Sequence, residues 1–313
     1  MVNIAIAGGN GLIGRTVHEV LQEEGKHNVF ILTRKKSGPS NPDQQTIAVD
    51  YQDVETVKTV LEENNIHTVI CTFTMEGNAL EKSHLSLVEA ASRSSTTKRF
   101  IPTSWAIMYP KEAASNLPTL KYYFEALDRL EASDLEYTVI INGMFLDYWG
   151  LPHIKTHLLP LVMVLDIENR AAAVPGSGDV PVTFTYSYDA AWFVAKLLDL
   201  PQWPKESKIV GDTVTWNEFL QMAEEVTGDK FDTTYDSVEK LKRFEVTELP
   251  GHAQLYDKYS KKGLQWFLAA FELMTTDETS YVSRDGSLNE VFPELQPLTV
   301  REMLTKCWGK KST

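Results

Sequence analysis

The sequence is short of several things, and each shortage excludes a class. Cysteine occurs only at Cys71 and Cys307, too few for a disulfide framework and without CxxC spacing, which suits a reducing compartment. Basic residues are outnumbered by acidic ones, 30 to 43, and form no long run. With a net charge of −13, the cationic footprint expected of a nucleic-acid binder is missing. No apolar run approaches the roughly 20 residues needed to span a bilayer. The longest, around 158–167, is interrupted by Asp166. The first residues lack a basic leader and pass straight into a β-branched run, unlike a secretory signal. The expectation is a cytoplasmic protein whose partner is a small molecule, with neither nucleic acid nor membrane involved; oligomeric state is left open.

Three catalytic patterns are also absent. His153 and His157 have the i, i+4 spacing of a helix-borne metal pair, but no Glu follows the first and no third ligand is near in sequence, so no metal is expected. Gly176-Ser177-Gly178 lacks the spacing of a nucleophile elbow. Glu62-Glu63 and Glu224-Glu225 fall on helical patterns and read as solvated faces.

What is present is ordinary globular usage, 43% apolar and 23% charged, in a chain of 313 residues. From residue 1 to about 150, short β-branched runs alternate with helical periodicity. Residues 3–7, 29–33, 46–49, 68–72, 99–102 and 137–141 read as strands, and 12–24, 54–64, 80–94 and 122–133 as helices. This order predicts an α/β fold, a Rossmann doubly wound parallel sheet over 1–150 with a smaller C-terminal substrate-binding lobe over 151–313. Helical stretches at 188–200 and 216–226 belong to the second part, and 182–186 and 208–210 are candidates for strands returning to the main sheet.

The first strand runs into Gly8-Gly9-Asn10-Gly11-Leu12-Ile13-Gly14, which satisfies GxGxxG through Gly9, Gly11 and Gly14 and GxxGxxG through Gly8, Gly11 and Gly14. A turn that tight, with backbone able to touch a diphosphate and a helix packed close to its strand, is what a dinucleotide requires. No GK[ST] follows, so a Walker motif is excluded. The second strand ends in Thr33-Arg34-Lys35-Lys36 without an acid, favouring the 2′-phosphate of NADPH/NADP over the free ribose of NADH. Asp50 and Tyr51 follow the third strand, at the adenine side. Thr72, Phe73 and Thr74 follow the fourth, and Thr103 and Ser104 the fifth, where hydroxyls can hold ribose or carboxamide.

With these residues placed, the chain resembles the NmrA-like and isoflavone reductase-like branch of the atypical short-chain dehydrogenases. The resemblance rests on the 8–14 loop, Leu32-Thr33-Arg34, and Lys98-Arg99-Phe100-Ile101-Pro102-Thr103-Ser104-Trp105. Softer matches are 137–148, Asp189-Ala190-Ala191, Gly211-Asp212 with Trp216-Asn217-Glu218, and Leu288-Asn289 to Phe292-Pro293-Glu294. It implies an NADPH-dependent oxidoreductase acting on small, often phenolic or polyketide-like compounds of secondary metabolism. Family reductases carry a lysine on the helix after the fifth strand that holds the nicotinamide ribose and assists proton transfer. The family spacing counted back from Tyr137 lands on Tyr123, two residues beyond Lys121. Two residues turn a helix by about 200°. Where the family reads Pro-Ser-Glu-Phe-Gly, this chain reads Pro102-Thr103-Ser104-Trp105-Ala106, with no acid.

Lys121 is therefore the expected ribose ligand and proton donor, with Tyr122 or Tyr123 as substitute acids. Trp105, Phe145 and Tyr148, with Met108 and Trp149, form the expected aromatic wall for a flat apolar substrate. Three readings stay open: a reductase of a carbonyl or enone compound, a non-catalytic NADP(H)-sensing regulator that meets a protein partner, and a non-redox lyase or isomerase.

Overall fold

The alternation of Ile4 and Ile6 with Ala5 and Ala7 in the first strand sends side chains to opposite faces, so both faces must be covered. The computed structural model describes residues 1–34, 45–74 and 79–310. Strands β1 (Asn3–Ala7), β2 (Asn28–Thr33), β3 (Gln45–Ala48), β4 (Ile66–Cys71), β5 (Arg99–Ile101) and β6 (Glu136–Tyr137) form a six-stranded sheet in the order β3-β2-β1-β4-β5-β6. Every pairing in it is parallel. Chain direction across the sheet reverses between β1 and β4, which opens a crevice at their carboxyl ends.

Helix α1 (Leu12–Glu24) places Ile13, Val17, Val20 and Leu21 on one face and ends at Gly25, whose φ of 69° is the left-handed cap. Helices α2 (Val54–Glu63), α3 (Leu85–Arg93) and α4 (Leu120–Glu131) cover the opposite face, around Ala5, Ala7, Val69 and Phe100. The helix expected over 80–94 divides into a π-helical stretch, Ala79–His84, followed by α3. The helix expected from 122 begins earlier, so Lys121 lies in the first turn of α4.

The second half continues with β7 (Val139–Ile141), β8 (Met144–Phe145), α5 (Asp147–Gly150), β9 (Leu165–Asp166), β10 (Ala171–Pro175), β11 (Pro181–Thr185) and α6 (Ser187–Leu197). It then runs through β12 (Glu206–Lys208), β13 (Asp212–Thr215), α7 (Trp216–Thr227), β14 (Asp232–Asp236), α8 (Val238–Lys242), α9 (Lys261–Leu273), α10 (Leu288–Val291) and α11 (Val300–Trp308). The single strand expected over 137–141 is split at Thr138. Its first part pairs with β5, whereas β7 pairs in parallel with β12. Thr138 makes the exchange, its amide donating to the Phe100 carbonyl at 3.3 Å and its hydroxyl lying 2.7 Å from Ser207 Oγ. The stretch at 182–186 does not join the main sheet. β11 pairs with β13 and β8 in a separate three-stranded sheet, and β14, β10 and β9 form another.

The second half has its own core, in which the rings of Trp149, Phe184 and Trp216 meet edge-on or tilted with centroids 5.2–5.4 Å apart. Helix α6 does not belong to that core. Its Ala190, Ala191, Phe193 and Val194 pack on Val17, Val20 and Leu21 of α1, completing the cover of the main sheet.

Candidate functional site

The glycine turn sits at the carboxyl end of β1, and its glycines are demanded by contact. A Cβ at Gly14 would lie 2.3 Å from the Gly8 carbonyl oxygen and 2.6 Å from Thr72 Oγ1. Gly8 has φ +84°, and a Cβ there would meet Thr72 Oγ1 at 3.0 Å. The turn is closed by the Gly11 amide donating to the Gly8 carbonyl at 2.7 Å. Gly11 is the N-cap of α1 with no side-chain cap, and no acid stands in the first turn. The first amides of α1 therefore keep their donors for a ligand, in the positive end of the helix dipole. Asn10 closes the other side of the turn, its carbonyl accepting from Arg15 Nε at 2.9 Å.

Arg34 is exposed just past β2. Lys35, the second cation expected to grip the 2′-phosphate, lies outside the described residues. Tyr51 lies beside Gly8 and Arg34, its hydroxyl donating to the Leu32 carbonyl at 2.9 Å; burial, then the neighbouring Cys71 thiol, raises its pKa. Phe73 meets the Tyr51 ring edge-on with centroids 4.8 Å apart. Asp50 is exposed and accepts the Gln52 amide at 2.9 Å, a turn contact. Bare amides, a guanidinium and an aromatic pair thus share one edge of the sheet. Glycine at 8 and 14 lets α1 sit close against the ends of β1 and β4, and the uncapped amides with the nearby guanidinium suit the phosphates of a dinucleotide.

On the other side of the crevice, the expected hydroxyls are partly committed to the framework. Thr72 Oγ1 donates to the Ala7 carbonyl at 2.9 Å and Thr103 Oγ1 to the Phe73 carbonyl at 2.7 Å, so both brace the strand ends while keeping acceptor lone pairs. Thr74 is exposed. Trp105 corrects the expected aromatic wall. Its φ is +51°, it is 4% exposed, and its Nε1 donates to the Cys71 carbonyl at 3.0 Å, so the indole is a wedge under the loops and not an open surface. Phe145 packs partly buried against the same cluster.

Lys121 and Tyr123 part company as their spacing requires. Lys121 is exposed, with Nζ 4.5 Å from the Tyr122 ring centroid, and Tyr122 packs on the core under α2 and α3. Tyr123 is buried in a different cluster, with Ile107, Tyr109 and Leu117 from the loop after β5 and Ala270 and Met274 from the second half. Its hydroxyl faces Ser104, whose Oγ is buried and has no well-formed hydrogen bond among the described residues. Burial pushes the Tyr123 phenol up to about 12. The Tyr109 ring meets Tyr123 edge-on at 5.9 Å; burial raises its phenol too, reinforced by Tyr123 and Tyr148. Tyr148 is raised by burial, then by Asp147 and Tyr259. Tyr148, expected in the aromatic wall, thus lies near two further phenols, Tyr109 and Tyr123. Tyr109 escaped sequence reading because it lies in an irregular loop, and periodicity carries no signal there.

His153 and His157 do not share a helix. His153 packs edge-on against Trp308 at 4.9 Å, and His157 Nε2 lies 2.6 Å from Glu19 Oε1. Among the described residues no group of His, Cys, Asp and Glu is placed to hold a metal, and no helix is long and apolar enough to cross a membrane.

A protein-family model described as NAD(P)H-binding matches residues 8–155. The oxidoreductase BOA1 of Botryotinia fuckeliana is 31% identical over 299 residues, covering 95% of this chain and 96% of that protein. A phenylcoumaran benzylic ether reductase of Ginkgo biloba is 24% identical, covering 97% and 98% of the two chains. Among solved structures, the leucoanthocyanidin reductase–NADPH complex of Vitis vinifera superposes with a TM-score of 0.72 at 18% identity, over 97% of this chain and 98% of that one, a likeness of fold.

Proposed function

The chain belongs to the NmrA-like and isoflavone reductase-like family of NAD(P)H-binding oxidoreductases, and from that premise we propose that it is an NADPH-dependent reductase of a small aromatic or polyketide-like carbonyl or enone compound. One observation carries the reading. The glycine turn and Arg34 stand at one end of the strand edge, and a buried phenol, Tyr123, with Ser104 beside it, stands at the other.

Gly8, Asn10, Gly11 and Gly14, with the amides of Leu12 and Ile13, would hold the diphosphate. Arg34 would take the 2′-phosphate, with Lys35 next in sequence, and Asp50, Tyr51 and Phe73 would border the adenosine. Thr72, Thr74 and Thr103 would line the nicotinamide ribose. Bound NADPH supplies a hydride, two electrons to the substrate carbon.

The negative charge that collects on the substrate oxygen is quenched by a proton from the protein. Tyr123 carries that proton. The phenol is protonated at neutral pH, burial pushes its pKa up to about 12, and Ser104 Oγ lies beside it to donate to the phenolate left behind. The phenolate recovers its proton from solvent. Lys121, on another face of the α4 turn, is left to the ribose side. Tyr148 and Tyr109 border the substrate, and their hydroxyls favour one bearing oxygen functions.

Tyr123→Phe should lower kcat by about 10²–10⁴-fold while leaving NADPH affinity unchanged, whereas Lys121→Met should mainly weaken cofactor binding. The assay is loss of nicotinamide absorbance with a panel of quinones, enones and aromatic ketones. An unchanged kcat in Tyr123→Phe would remove the phenol from the mechanism. A second reading, an NADP(H)-sensing regulator, draws on the exposure of Lys121. It expects tight NADPH binding and no turnover with any of the panel.

A further inference from the structure

The one-turn helix α5 buries its first and third residues and leaves the second partly open. Asp147 is held by the Ser187 amide and the Thr156 hydroxyl, at 2.8 and 2.6 Å. Trp149 is buried and tied at both ends, its carbonyl accepting from Trp308 Nε1 at 2.7 Å and its own indole N–H donating to the Met163 carbonyl at 3.1 Å. Tyr148, between these two anchors, is only partly buried, within electrostatic reach of Tyr109, whose ring meets Tyr123. Where Tyr148 sits is therefore decided by what grips its neighbours. The Met163 carbonyl belongs to a tight turn. It also accepts the Leu165 amide at 2.6 Å, and Val164 between them is fully buried with φ +60°. A β-branched residue persists in the left-handed region only where its surroundings impose it. The Val164 carbonyl is taken by the Ala173 amide at 2.8 Å, and the Val164 amide meets the carboxyl group of Glu272 on α9.

A carboxyl group is a costly prop in this place. Glu272 is 2% exposed, and its Oε2 is sealed from solvent with no partner among the described residues. Two charged groups act on it. Asp236 of β14 repels it, and Lys240 of α8 is already bonded to Asp236 Oδ1 at 2.7 Å and to Thr247 Oγ1 at 2.6 Å. Burial, then Asp236, pushes its pKa well above the usual carboxylate value, so it is a neutral acid that forms no ion pair. An apolar side chain of the same volume would spare the core that penalty. What an apolar side chain lacks is an oxygen for the Val164 amide, which would otherwise be left buried and unpaired. Resting on the reductase reading above, in which Tyr148 borders the substrate, we propose that Glu272 is a positioning residue: by propping the Val164 turn it keeps the Met163 carbonyl on the Trp149 indole and so fixes Tyr148 in the substrate site.

The test follows Tyr148 itself. 3-Fluorotyrosine placed at position 148 reports the surroundings of that ring by fluorine NMR without any substrate. Glu272→Met, close in volume but with no acceptor, should shift or broaden the resonance. In the same variant KM for the quinone, enone and ketone panel should rise by at least about fivefold, with kcat and NADPH affinity kept within about twofold. Unchanged NADPH affinity also shows that the protein is folded. Glu272→Gln keeps an oxygen for the Val164 amide and should restore both the wild-type resonance and the wild-type KM. A general loss of packing predicts neither that rescue nor the split between KM and kcat. Trp149→Phe deletes the indole N–H while keeping a ring, so it breaks the same chain one link further on. It should act as Glu272→Met does, and it carries the test if Glu272→Met fails to fold. An unmoved resonance in either variant would overturn the proposal, as would a Glu272→Gln protein that behaves like Glu272→Met. No turnover with any member of the panel would instead overturn the reductase reading, and the fluorine signal would still decide whether Glu272 holds Tyr148.

Discussion

At the scale of single residues, charge and van der Waals contact decide the cofactor. A charge-assisted hydrogen bond is worth about 1.5–3 kcal/mol, roughly one to two powers of ten in affinity. Arg34→Glu should therefore abolish the preference for NADPH over NADH, or reverse it, when both are titrated by fluorescence. An unaltered ratio would mean that Arg34, exposed as it is, does not face the 2′-phosphate. Gly14→Ala tests the other half of the site. Its methyl would press on the Gly8 carbonyl and Thr72 Oγ1 at 2.3 and 2.6 Å, so helix and strand must separate. Overpacking of this kind costs about 1–3 kcal/mol. A thermal scan should show a midpoint lower by several degrees together with weakened NADPH binding. A variant as stable and as tight as the wild type would contradict the close approach.

At the scale of elements, polar side chains tie the second half of the chain to the first. Glu19 on α1 accepts from Tyr188 of α6 and from His157, both at 2.6 Å, and pairs with Lys155 at 3.0 Å. Burial alone would raise its pKa, but the three donors outweigh that and hold it at about 2. Asp147 of α5 caps α6 by accepting the Ser187 amide at 2.8 Å and also takes the Thr156 hydroxyl at 2.6 Å. Asp189 in the first turn of α6 is the opposite case. Burial lifts its pKa from 3.8 to about 6 against the Leu298 amide it accepts, with Asp147 adding to the rise. Its folded-state pKa exceeds the unfolded one, so the folded state binds the proton more tightly, and stability falls as pH rises from about 4 through about 6. Asp189→Asn keeps an acceptor for the Leu298 amide and removes the charge. It should gain on the order of 2 kcal/mol at about pH 8 and nothing at about pH 4. Unfolding midpoints across that range check the sign, and a gain confined to acid would contradict it.

At the scale of the whole molecule, the sheet was legible because β1 to β4 each carry at least two β-branched residues in a short run, and the glycine loop was legible because its contacts leave no room for a side chain at Gly8 or Gly14. The last strand was not. Its division between β6 and β7 depends on β12, which lies far along the chain, and nothing local marks Thr138 as the point of exchange. For the same reason the fate of 182–186 was decided by β13 and β8, partners that periodicity does not name. In the site, residues fixed by backbone, such as Gly8 and Gly14, were readable, whereas side-chain direction was not. Trp105 turned inward because its indole N–H found the Cys71 carbonyl, and Tyr109 joined Tyr123 through a loop. The helix register did separate Lys121 from Tyr123 in advance, since two residues cannot share one face. All of this depends on whether the first turn of the sheet holds a phosphorylated dinucleotide. Calorimetric titration of the purified protein with NADPH and NADH in the same buffer measures that directly. The account predicts NADPH binding at least about tenfold tighter than NADH; absence of binding by either nucleotide at millimolar concentration would contradict it.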